Sequence, residues 1–97
     1  MSESNREKFN DLIAQIMSKL IDACPMPRGL GAADFGLPVG HVDPQSEYYV
    51  ETLEESFLNA CIRWLRDEEL IRGSSEFVVT GHGLEVFDSL PDCLNRH

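Results

Sequence analysis

Among the side chains able to do chemistry in this chain are the cysteines Cys24, Cys61 and Cys93, two of the three histidines, His41 and His82, and a surplus of carboxylates, 17 Asp and Glu against 8 Lys and Arg. A cysteine nucleophile needs a neighbouring base to form its thiolate, and no spacing here pairs a cysteine with a histidine. Cys24 and Cys61 fall on apolar helical stripes, where a free thiol behaves as a small hydrophobe. A zinc site needs several ligands at short regular spacing, whereas His41-Val42-Asp43 and Gly81-His82-Gly83 each offer one histidine beside a turn. Gly29, Gly31 and Gly36 do not build a phosphate loop, because no Lys-Ser/Thr follows them. The expectation is a protein that is not an enzyme and uses no metal or cofactor.

What remains is recognition chemistry. Turning 100° per residue from Leu53 gathers Leu53, Phe57, Leu58, Cys61, Trp64 and Leu65 on one arc, and leaves Glu55, Ser56, Asn59, Arg63, Arg66 and Asp67 opposite. Asn pairs with adenine and Arg with guanine in bidentate contacts, so Ser56, Asn59, Arg63 and Arg66, with Arg72 just beyond, form a candidate nucleic-acid or partner face. Against DNA stand Glu51, Glu54 and Glu55, at the end a groove-reading helix presents to the bases. The same carboxylates suit the positive end of the helix dipole, which is reason enough for their place. Arg63 and Asp67, four residues apart, are positioned to neutralise each other. Asp67-Glu68-Glu69 close the helix against its dipole, as a solvated terminus or a partner-facing patch. The formal net charge is −9 with the acids spread along the whole chain, an electrostatic handicap for contact with phosphates. Phe35, Tyr48 and Tyr49 are candidate partner anchors, since interface centres favour such side chains, and they serve equally well as core filling.

The elements that must position these residues are legible from periodicity. Ser4-Asn5-Arg6-Glu7 has the form of a capping box. Behind it Phe9, Leu12, Ile13, Ile16, Met17, Leu20, Ile21 and Cys24 mark a helix over about 5–24 that Pro25-Met26-Pro27 stops. Its apolar stripe can lie on the core or serve a second chain. Residues 25–43 are punctuated by proline and glycine and leave room for one short helix near Leu30 to Phe35. A long helix follows, starting either at Asp43-Pro44 or at the second capping box, Thr52-Leu53-Glu54-Glu55, and ending near Glu69. Leu70-Ile71-Arg72 and Phe77-Val78-Val79 are strand-prone runs around a glycine turn, a hairpin over 70–79 with Phe77 and Val79 on its buried face. Thr80 caps a last helix over 81–90, carried by Leu84, Phe87 and Leu90 and ended by Pro91.

At Cys61-Ile62-Arg63-Trp64-Leu65-Arg66-Asp67-Glu68-Glu69-Leu70-Ile71-Arg72 and again at Val79-Thr80-Gly81-His82-Gly83-Leu84, the chain resembles winged-helix proteins, including the MarR-like and PadR-like groups of bacteria. The likeness covers roughly residues 52–90. It departs from the common pattern at Val79, where leucine is usual, and at His82, where a base is usual. It implies an α+β, mostly α fold: a winged helix with three to four helices and a short two-stranded antiparallel β-wing, in which residues near 30–36 supply the second helix and 52–69 the groove-entering third.

Ninety-seven residues with 42% hydrophobic content suit one domain over 1–97. The polar run Met1 to Lys8 is unlike a signal peptide, and no run is apolar for the roughly 18 residues a membrane span needs, so a cytoplasmic protein of bacterial or phage type with no membrane partner is expected. The first functional expectation is an acidic macromolecular-interaction module that binds protein, as a homodimer through the first helix or as a subunit of a larger assembly. The alternatives are a DNA-binding transcriptional regulator, disfavoured by charge, and an acidic decoy occupying the nucleic-acid groove of a basic partner.

Overall fold

Nineteen consecutive residues, Asn5–Ala23, form helix α1, and the side chains that recur every three to four positions decide which way it faces. Leu12, Ile16, Met17 and Leu20 are buried, and Phe9, Ile13, Ile21 and Cys24 pack half-buried around them. The structure, a computed structural model, describes residues 5–94. The expected Ser4 cap lies outside the described residues.

After α1 the chain makes strand β1 (Arg28–Gly29), a single 3-10 turn over Ala32–Phe35, strands β2 (His41–Val42) and β3 (Tyr49–Val50), helix α2 (Leu53–Asp67), strands β4 (Ile71–Gly73) and β5 (Glu76–Val79), helix α3 (Gly81–Val86) and a second 3-10 turn over Asp92–Leu94. The architecture is α+β, with three α-helices and two small antiparallel sheets among the described residues. In the larger sheet β5 is central, flanked by β1 and β4. Ile71 pairs with Val79 and Gly73 with Phe77 on one side, and Arg28 pairs with Phe77 on the other. Gly73 makes the reversal with φ 125°, a left-sided backbone at which a Cβ would collide with the Glu76 carbonyl oxygen.

One core joins the layers: the α1 stripe, Leu58, Cys61, Ile62 and Leu65 of α2, and Leu70, Ile71, Phe77 and Val79 of the hairpin. Each fully buried aliphatic side chain of this kind contributes about 1.5–3 kcal/mol of transfer free energy. Val78, on the other face of β5, is also buried.

Five expectations change. The hairpin at 70–79 has a third strand, because Arg28-Gly29 is too short to show a period of two and only tertiary pairing reveals it. The expected helix near Leu30 to Phe35 is one 3-10 turn, ended by Gly36 at φ 68°. The last helix stops at Val86, four residues short of 90, with Asp88 at φ 52° breaking its line. Asp43-Pro44 does not start a helix: Asp43 accepts hydrogen bonds from the Gln45 amide (3.2 Å) and the Ser46 hydroxyl (2.8 Å), which close the turn between β2 and β3. Leu53 and Trp64 do not join the buried arc. Leu53 is 86% exposed in the first turn, beyond the end of the core, and Trp64 is 43% exposed, its ring edge-on to Phe9 at 5.0 Å, while Ile62 takes the buried place.

Candidate interaction surface

Helix α2 begins where Thr52 accepts a hydrogen bond from the Glu55 amide (3.0 Å) and Glu55 returns one from the Thr52 amide (3.0 Å). This reciprocal cap satisfies two backbone donors that a helix start leaves open. Glu55 does more than cap. Its Oε1 also accepts the Gly40 amide at 2.8 Å and its Oε2 accepts the Tyr49 hydroxyl at 2.6 Å, so one carboxylate grips the residue that leads into β2 and the first residue of β3. The Thr52 hydroxyl adds a third tie by donating to the Pro38 carbonyl at 2.9 Å. Gly40 must be glycine here, because a Cβ would overlap the Val50 carbonyl oxygen and crowd the Glu55 carboxylate.

The clasp has an electrostatic signature. The bond from Tyr49 holds the Glu55 carboxyl below its ordinary range, with help from the Thr52 and Gly40 amides, and the same bond pushes the Tyr49 phenol up. Asp43, at the far end of the ribbon, is held low by the Ser46 hydroxyl and the Gln45 amide.

The ribbon turns apolar side chains to solvent. His41 pairs with Val50 and Val42 with Tyr49. Tyr48 is 76% exposed and Tyr49 52%, and Val39, Val42 and Val50 are exposed with them, next to Leu53. On the other side of Leu53 lies a cleft of about 480 Å³ between α1 and the start of α2, lined by Leu12, Leu37, Leu53 and Phe57 with the charged groups of Lys8 and Glu54.

The candidate residues fare unequally. Ser56, Asn59, Arg63, Arg66 and Arg72 are all exposed. Asn59, however, donates its amide to the Glu51 carboxylate at 3.2 Å, and Arg66 donates to the Gly73 carbonyl at 3.3 Å, which ties α2 to the hairpin. Among the described residues Arg63 and Asp67 do not form the expected ion pair; Arg28 and Asp34 form one at 3.5 Å. Phe35 is half-buried against the core with the Lys19 ammonium 5.5 Å from its ring centre, and so is packing rather than an anchor. Tyr48 and Tyr49 are exposed together. The α1 stripe, expected as a dimer face, is taken up by the chain's own core.

Cys61 is buried and desolvation pushes its thiol up, Cys24 is half-buried and Cys93 exposed. No group of three or more His, Cys, Asp or Glu among the described residues is arranged to hold a metal ion. Among them, no helix is long and apolar enough to cross a membrane.

No family model, curated protein or solved structure matches the chain. Its surface has to be argued from its own residues.

Sequence reasoning saw Glu55 as half of a capping box and missed its grip on the ribbon. The available signal was Tyr49, Val50 and Thr52-Leu53-Glu54-Glu55 standing six residues apart or less; the bond from Gly40, fifteen residues upstream, left none.

Proposed function

We propose that this chain is a small acidic winged-helix domain that acts as a protein-interaction module, with the β2–β3 ribbon and Leu53 as its contact surface. The winged-helix assignment is supported by the order of elements and by β5 standing between β1 and β4, with β4–β5 as the wing and α2 in the position of the groove-entering helix. The fold alone does not assign the role.

The observation that carries the role is the exposure of apolar side chains along residues 39–53 on a ribbon that is nevertheless held in place. Water-facing valine and tyrosine side chains, Val42 and Tyr49 on one face of the ribbon and Tyr48 and Val50 on the other, are what an interface centre needs, and the Glu55 clasp lowers the entropy lost when a partner orders them. A photo-crosslinking residue at position 48, compared with one at 85 on α3, tests it in the cells the chain comes from. Protein adducts formed from position 48 and not from 85 are expected; equal yields at both would remove the ribbon as the contact surface.

DNA binding is the second reading, and the exposed Arg63, free of a carboxylate partner among the described residues, is what favours it. Glu51, Glu54 and Glu55 at the leading end of α2, and the ties on Asn59 and Arg66, weigh against it. Gel retardation at low and moderate salt separates the two, since phosphate contacts release counterions and weaken steeply with salt.

A further inference from the structure

The β2–β3 ribbon has one edge engaged and one edge open. The Gly40 amide points away from β3 to Glu55, so the outer edge of β2 is turned toward the start of α2. On the other strand, Tyr48 directs its carbonyl inward to the Asp43 amide at 2.8 Å. Backbone groups alternate along a strand, so the N–H and C=O of Tyr49 point outward, and among the described residues no loop or side-chain group bonds to them. A free edge of this kind is a template for one more strand.

The charges around that edge select the strand. Tyr48, Tyr49 and Val50 carry no formal charge at neutral pH, and Glu47 and Glu51 bracket them. Glu51 accepts only the neutral amide of Asn59, and no base pairs with either carboxylate among the described residues. An antiparallel strand centred on Tyr49 places the residue two before its centre beside Glu51, while the residue two after it reaches the turn residue Glu47, which leaves the strand line at φ 63° with its side chain exposed. A second copy of this chain would bring Glu47 toward Glu51 twice, a repulsion at both ends of the contact.

Resting on the ribbon as the contact surface, we infer that β3 accepts an extended segment of a partner protein as a third strand, with basic residues at its two ends and apolar residues flanking its centre: Lys or Arg, apolar, any, apolar, Lys or Arg. The centre exchanges both backbone bonds with Tyr49, the apolar pair lies beside Tyr48 and Val50, and the bases meet the two carboxylates. The acids set the selectivity and the backbone supplies the orientation.

Two blocked peptides test this on the full chain, Lys-Val-Thr-Val-Lys and Glu-Val-Thr-Val-Glu, titrated while the backbone amide signals are followed by NMR. The lysine peptide is expected to bind about tenfold more tightly, with the largest shifts at 48–51, and methylation of its central amide nitrogen is expected to abolish binding. The double variant Glu47→Lys/Glu51→Lys should reverse the preference. Equal affinity for the two peptides, unchanged binding of the methylated one, or shifts centred away from 48–51 would overturn the inference, and the wild-type titrations decide it even if the double variant does not fold. Adducts from position 48 together with no peptide preference would overturn strand addition and leave the ribbon as the contact surface.

Discussion

Glu69 stands at φ 63°, a left-handed backbone that costs a residue with a Cβ about 1 kcal/mol or more. The reason it is there is the end of α2: the Leu70 amide reaches back to the Leu65 carbonyl at 2.9 Å and the Glu69 amide to Arg66 at 3.0 Å, a reversal that glycine normally occupies. Glu69→Gly relieves that conformation and removes a carboxylate from the negative end of the helix dipole, and the hydrogen bond from Thr80 to its carbonyl survives. Urea unfolding should show it more stable than wild type by about 1 kcal/mol. Glu55 and Tyr49 give a pH prediction of the opposite kind at each end of the scale. Glu55 is held low, so its stabilisation is present above its unfolded pKa and is lost as pH falls through the lower folded value. Tyr49 is held high, so its share is present below its unfolded pKa and is lost as pH rises through the folded value. Hydrogen exchange of the Gly40 amide should therefore be slowest relative to an unstructured amide between those limits. Tyr49→Phe should return the Glu55 titration toward the ordinary glutamate range while leaving the capping box in place.

At the scale of elements, the two helices after residue 50 are held by the same device. Thr52 and Thr80 each accept an amide three residues on and donate the hydroxyl to a distant carbonyl, Pro38 in one case and Glu69 in the other. Thr52→Ala and Thr80→Ala remove both functions and should each cost about 1–2 kcal/mol in denaturant unfolding, with serine restoring most of it. The same assay separates two of the three leucines of α2, Leu53 and Leu58, which periodicity could not rank. Leu58→Ala empties a fully enclosed site and should cost about 2–5 kcal/mol, whereas Leu53→Ala, in the exposed first turn, should lie within about 0.5 kcal/mol of wild type. A Leu53 variant as damaging as the Leu58 one would mean that the cleft beside α1 is closed in solution.

For the whole molecule the deciding quantity is charge. With 17 acids against 8 bases, the chain repels itself when compact, and raising ionic strength from about 0.01 M to 0.15 M, where the screening length falls from roughly 30 to 8 Å, should raise the unfolding midpoint. The same surplus leads to the expectation of no salt-sensitive retardation of duplex DNA at micromolar protein. Retardation that fades with salt and disappears in Arg63→Ala would transfer the role from the ribbon to α2.

By itself the sequence determined what is local. The α1 and α2 periodicities, the Thr52 and Thr80 caps, the Gly73 reversal and the paired β-prone runs after it are all decided by residues within a few positions of one another. Helix and turn energetics act over that range. Tertiary structure decided what depends on distant partners: that Arg28-Gly29 joins the hairpin as a strand, that Asp43 closes a ribbon rather than opening a helix, that Leu53 and Trp64 stay at the surface, and that Glu55 grips Gly40 and Tyr49. Two-residue strands carry too few side chains to show a period, and a helical wheel gives the direction of a side chain without saying where the core ends. A carboxylate four bonds from its backbone reveals its acceptors only when the chain has folded them within reach.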